Sequence, residues 1–161
     1  MKLKQDGAAL LEMAVLMPLL VILVFGLVEF GRALLQINTL TKAVTAGARY
    51  VARVPNAIDP SNCSQGATWA TAIAQGELLI ENDDAGTGSV ILPGLDNAGA
   101  ITFSNSTQSV SYGGSSSIDV CVITVLAEAP FGALSGGSLV PFFQVGPITL
   151  RAQAEERFIG E

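Results

Sequence analysis

Ala8 to Val28 is a run of 21 residues with one ionisable member, Glu12. Wound as a helix it measures about 30 Å, the thickness of a bilayer hydrocarbon core. A cleavable secretory signal has a shorter apolar core, of about 7–15 residues, closed by a small-residue cleavage site. This run is longer and continues into Glu29-Phe30-Gly31-Arg32 and further helix-compatible sequence. It therefore reads as a retained single-pass anchor rather than a removed signal. With only 14% charged residues, the chain is also far from the composition of charge-driven disorder.

Helical periodicity continues past the apolar run. Leu34, Ile37, Leu40, Val44, Ala48 and Val51 recur at spacings of three and four, within one arc of roughly 80°. Lys42, Arg49 and Arg53 occupy a separate arc of about 40°. That basic stripe has two readings: a solvated helix face, or a surface complementary to acidic heads of adjacent subunits. Pro55 ends the pattern. The expected helix runs from Ala8 to Val54, about 70 Å long, as a membrane span (8–28) followed by an amphipathic stalk (29–54). Pro18 lies inside the span and deprives the Ala14 carbonyl of its helical partner, which makes it a candidate kink.

Glu12 carries the chemistry. A carboxylate this far inside an apolar run costs several kcal/mol unless it is paired or near the interface, and no basic side chain stands near it in sequence. Hydrolysis between Gly7 and Ala8 would create an ammonium on Ala8, one helical turn from Glu12, at the i, i+4 spacing that lets opposite charges meet.

A short basic leader, Lys2-Leu3-Lys4-Gln5-Asp6-Gly7, precedes Ala8-Ala9-Leu10-Leu11-Glu12. This is similar to the class III signal of type IV pilins. Further on, Leu16-Met17-Pro18-Leu19-Leu20, Gly26-Leu27-Val28-Glu29-Phe30-Gly31-Arg32 and Ala46-Gly47-Ala48-Arg49-Tyr50 resemble the TadE-like family, pilin-like proteins of the tight-adherence (Flp) pilus. The resemblance covers residues 7–54, with a weaker likeness at Ile148–Ala152. It implies that residues 1–7 are a leader removed at Gly7/Ala8 by a membrane prepilin peptidase. It also implies a pilin, minor pilin or pseudopilin, partnered by copies of itself or other pilins and by an inner-membrane assembly platform. The alternative is an uncleaved single-pass protein whose exported head binds a partner.

Charge divides the chain unequally. Residues 1–54 carry net +3 and residues 55–161 net −9, so the head is a poor nucleic-acid binder. Basic residues flank the span almost evenly, at Lys2 and Lys4 before it and at Arg32 and Lys42 after it. The short leader leaves the head to occupy the other side, so the expected topology is N-terminus cytoplasmic and head exported from the inner membrane.

In the head (55–161), Asn56–Asn62 reads as a turn-rich linker and Ala67–Asn82 as a second helix with Gly76 inside it. Ile101–Phe103, Gln108–Tyr112 and Ile118–Ala127 read as strands, the last two joined as a hairpin. Val120–Leu126 is apolar at nearly every position, as in a central strand covered on both faces. Ile148–Glu155 alternates, with Ile148, Leu150, Ala152 and Ala154 turned inward. The expected class is α+β: a long pilin-like helix packed on a small antiparallel sheet. In an exported head, Cys63 and Cys121 form a disulfide; otherwise they are two buried thiols.

No enzyme reading emerges. The chain has no His, no Gly-x-Ser-x-Gly elbow, no Walker loop and no dinucleotide fingerprint. The acidic loop Glu81–Gly88 lacks the EF-hand ligand spacing, since Leu92 stands where a bidentate Glu is required. Neither a metal nor a cofactor is expected.

Overall fold

The computed structural model describes residues 3–82, 89–112, 116–132 and 148–160. Helix α1 spans Leu3–Val51, 49 residues, and passes through Pro18 without a break in the helix. It starts before Ala8 and ends three residues short of the expected Val54. The shortfall comes from Pro55, which disfavours helical geometry in the residue before it. The last turn tightens accordingly, with Arg53 N–H donating to Tyr50 O (3.1 Å) and Val54 N–H to Val51 O (3.2 Å). The Ala52 carbonyl, left over at the helix end, accepts the Ile159 and Gly160 amides at 3.0 and 3.1 Å. The chain's C-terminal end thus caps the stalk.

The expected linker folds further than its turn residues imply. Strands β1 (Ile58–Asp59) and β2 (Ser64–Gln65) pair antiparallel. Asn56, before this small hairpin, and Cys63, in the connection between its strands, take positive φ (56° and 55°). Cys63 is disulfide-bonded to Cys121, with Cα atoms 5.2 Å apart, and its carbonyl accepts a hydrogen bond from Asn105 Nδ2 at 2.6 Å. The hairpin is thereby tied to the main sheet.

Helix α2 (Trp69–Asn82) begins two residues later than expected. The Thr68 hydroxyl donates to the Pro55 carbonyl at 2.6 Å, joining the start of α2 to the end of α1. The two helices approach through glycines. A Cβ added to Gly47 would stand 2.6 Å from Ile80 Cδ1, and one added to Gly76 would stand 2.8 Å from Val51 Cγ2 and 3.0 Å from Phe103 Cζ. Gly76, unfavourable inside a helix on propensity alone, is needed for this close packing.

The main sheet has the order β3-β4-β5, all antiparallel, with β3 at Ile101–Tyr112, β4 at Ser116–Pro130 and β5 at Thr149–Arg157. The two short segments expected between residues 101 and 112 are one strand. Its register runs from Ile101 opposite Ala127 to Tyr112 opposite Ser116. β4 is central as expected. Ile123, Val125, Ala127 and Ala129 are fully buried on one face; on the other Val120 and Val122 are buried, while Thr124, Leu126 and Glu128 are half-buried. Among the described residues, the helical layer lies on one side of the sheet. Leu150, Ala152 and Ala154 line the inward side of β5, Ala152 buried and the other two partly so.

The helical layer is the outer half of α1 together with α2, and α1 packs on β4, β5 and α2. Leu40, Val44, Ala48 and Val51 are all 0% exposed, as their spacing predicts. Leu34, placed in the same stripe by spacing, is instead 47% exposed. It lies one turn below the level at which apolar packing begins.

Two measurements check this packing. Gly76→Ala should destabilise the oxidised full chain by about 1–3 kcal/mol through overpacking against Val51 and Phe103; thermal unfolding in detergent reads this, and an unchanged midpoint would refute the close approach. Replacing Cys63 and Cys121 by Ser opens a loop closed over a separation of 58 residues, worth about 4 kcal/mol in the chain-entropy model. The midpoint followed by the near-ultraviolet signal of Trp69 should fall, while far-ultraviolet helicity of the α1 span is retained.

Candidate functional site

The lower half of α1 has little cover among the described residues. From Ala9 to Val28 the residues are exposed, apart from the half-exposed Ile22 and Gly26. Leu10, Leu11 and Val15 reach 72%, 70% and 69% exposure. A segment this apolar and this exposed, with Glu12 its one charged residue, would be unfavourable in water by tens of kcal/mol at about 25 cal/mol per Å². The segment is long and apolar enough to cross a membrane, and it measures about 30 Å, one hydrocarbon thickness. It anchors the chain in a membrane.

Glu12 lies on this exposed surface and, among the described residues, makes no ion pair. The backbone of Gly7 and Ala8 belongs to α1, so Ala8 N lies one helical turn, about 6 Å of rise, from the Glu12 level. Lys2 lies outside the described residues.

At the upper end of the span a polar stripe takes over. Glu29 is 2% exposed, the one charged residue among the buried ones described. Arg32 Nε stands 3.8 Å from Glu29 Oε2, one turn along the same face. Arg32 Nη2 donates to Gly132 O at 3.1 Å and Gln36 Nε2 donates to the same oxygen at 3.3 Å, while Gly132 N–H donates back to Gln36 Oε1 at 3.3 Å. Two side chains of α1, Arg32 and Gln36, therefore hold the segment after β4 against the helix where the span ends, with Glu29 beside Arg32. The signal for this collar was available in the sequence. Glu29, Arg32 and Gln36 are spaced three and four apart and lead into Leu40, so they share the core-facing side. Polar residues at helical spacing are ordinarily read as a solvated face, and that habit hides them.

Lys42 and Arg49 are exposed on α1, and Arg53 is exposed in the turn just after it. Arg49 Nε bonds Glu156 Oε1 of β5 at 2.9 Å, while Lys42 and Arg53 make no ion pair among the described residues. Arg49 and Arg53, with Ala46, Tyr50, Val54 and Pro55, line a shallow groove of about 510 Å³.

The opposite charge collects on α2 and the turn after it. Burial, then the neighbouring carboxylates of Glu77 and Asp96, raise the Glu81 pKa above its ordinary value. On the small hairpin, hydrogen bonds from the Ser61 hydroxyl and amide lower that of Asp59. Of the acidic loop, residues 83–88 lie outside the described residues. Among the described residues, no group of three or more Cys, Asp and Glu is arranged to hold a metal ion.

Set against known proteins, the chain matches no curated protein and no solved structure. Residues 7–49, which hold the Gly7–Glu12 motif, the exposed span and the polar collar, match the family model of TadE-like proteins.

Proposed function

We propose that this chain is a pilin-like structural subunit of a tight-adherence pilus, a pilin or minor pilin, acting through its α1 span and not as an enzyme. One observation carries the reading. A single helix is bare and apolar for a bilayer's thickness and then becomes the core of the head without interruption. Such a helix can leave lipid and enter a helical bundle of identical spans with its backbone hydrogen bonds intact.

In this reading a prepilin peptidase removes residues 1–7. The first turn of α1 must open for that cut, and Gly7, about 1 kcal/mol poorer than Ala as a helix former, makes the opening easier. The new Ala8 ammonium then neutralises a Glu12 carboxylate, in the same chain or a neighbouring one. An acid that is costly alone in lipid becomes a register mark for stacking spans. Pro18 supplies the point at which the span bends as it packs. The head lies outside the cytoplasmic membrane, a placement that suits a bonded Cys63–Cys121 pair.

Mass spectrometry of the chain from native membranes and from sheared surface fibres tests this. The expected mature terminus is Ala8, and Glu12→Ala should still insert in the membrane yet be lost from fibres. An intact Met1 in cells with an active prepilin peptidase, or normal incorporation of Glu12→Ala, would overturn it.

A further inference from the structure

One face of α1 is covered further down than the described head reaches. Ile22, Gly26, Glu29, Gln36 and Leu40 recur at helical spacing and fall in one arc of roughly 80°. Exposure along this face is graded. Leu40 and Glu29 are buried, and Gln36, Gly26 and Ile22 are partly covered. Val15, on the same face two turns below Ile22, is 69% exposed, and Leu23, at the level of Ile22 but on another face, is 55% exposed. Apolar side chains of similar size on a lone helix have similar exposure, so Ile22 has a neighbour that Val15 and Leu23 lack. The described residues supply none at that level. Gly132, held by Arg32 and Gln36, sits about 18 Å above Ile22.

The chain leaves the described head at this place. β4 ends at Pro130, opposite Thr149 of β5, and the Phe131 N–H donates to Ile148 O at 2.8 Å. Residues 133–147 lie outside the described residues, and the two ends they join are held together at the collar. Fifteen residues that go out and return reach at most about 24 Å, seven each way at about 3.4 Å per residue. Ile22 is within that reach; Val15, about 28 Å below Gly132, is beyond it. The change in exposure falls between the two. Composition agrees with the depth. From Ala133 to Pro147 there is no Asp, Glu, Lys or Arg, and Leu139, Val140, Phe142 and Phe143 are apolar, so no charge has to be carried below the membrane surface. Non-helical backbone at membrane depth is tolerated only where protein covers it, which places such a segment against α1. Gly26 leaves room there, since an added Cβ would meet nothing within 4 Å among the described residues.

We propose that the Ile22–Gly26–Glu29 stripe of α1 is the docking surface for residues 133–147 of the same chain, which thereby make a second, uncharged membrane contact in the leaflet next to the head. The contact needs only the anchor and holds whether or not the leader is cut, so it goes beyond the pilin reading and stands apart from it. It also divides the span by face and by depth. Above Ile22 one face is taken by the chain itself, and neighbouring spans pack on the others. Glu12 lies below the reach of the segment and stays accessible to neighbours on every side.

The test is cysteine pairing in the full-length chain, dilute in phosphatidylcholine vesicles, with the Cys63–Cys121 bond as the folding control. Val140→Cys, at the middle of the segment, is combined in turn with Ile22→Cys, Leu20→Cys and Val15→Cys. Disulfide formation under mild oxidation is followed by mass spectrometry of the linked peptides. Ile22→Cys should pair about tenfold faster than Leu20→Cys, on the opposite face, or Val15→Cys, beyond reach, because a disulfide forms only between Cα atoms that come within about 7 Å. Equal rates at the three positions, or no pairing at Ile22→Cys, overturn the proposal. So does pairing found only between isotopically light and heavy chains, which would give the stripe to a second copy. An independent reading comes from Phe143→Trp in a Trp69→Phe background. Brominated lipid should quench its emission; quenching by aqueous iodide in its place would put the segment in water and overturn the contact.

Discussion

One unbroken ladder of backbone hydrogen bonds carries the chain from an apolar solvent into a folded head. In hydrocarbon an unsatisfied N–H or C=O costs several kcal/mol, so a span must satisfy its own backbone. α1 does so from Leu3 to Val51 and reuses the same geometry for two different side-chain tasks. From Ala9 to Val28 the surface is apolar but for Glu12 and almost wholly exposed; above Glu29 one face becomes buried in the head. The change happens within two turns, at Glu29, Arg32 and Gln36. Polar side chains on the core-facing side at that level give the segment after β4 hydrogen bonds that lipid could not supply.

Much of this was legible because it depends on period and length. A 21-residue apolar run and a three-four repeat ending at Pro55 are enough to place the span, the stalk and the buried stripe Leu40, Val44, Ala48 and Val51. The alternation in β5 and the central position of β4 follow the same logic. What escaped depends on three-dimensional neighbours. Leu34 belongs to the stripe by spacing, yet it is 47% exposed. Val120–Leu126 reads as covered on both faces, and Val120 and Val122 are buried on the outer one, whereas Thr124 and Leu126 are only half-buried there. Composition cannot distinguish a strand beneath two layers from a strand whose apolar residues meet cross-strand partners on an exposed face. Gly76 looked like a weak point in a helix; only the proximity of Val51 and Phe103 explains it.

At the site the division is similar. Gly7, Ala8 and Glu12 are a local motif, so their spacing is fully visible in one dimension. The collar is not, because Gly132 lies about a hundred residues from its partners, at separations of 100 and 96. The acidic edge was visible as charge but not as geometry. That α2 folds back along α1, with Ile80 against Gly47 and Gly76 against Val51, appears only in three dimensions.

The helical cover of the sheet decides how the head holds together. Among the described residues, most of that cover is α1 rather than α2 or the small hairpin. Leu40, Val44, Ala48 and Val51 are each fully buried, and losing such side chains costs about 1.5–3 kcal/mol apiece in burial alone. That total is comparable with the entire stability of a domain this size. A polypeptide beginning at Pro55 would keep the disulfide and the strands but expose the side of the sheet that now meets the stalk. The head is therefore stable only as the upper part of the membrane helix. Any force or displacement applied to the span acts directly on the core of the head, with no flexible linker between them. Rigid coupling of that kind suits a subunit whose position in an assembly is set by its helix, because the orientation of the head is fixed as soon as the helix is placed.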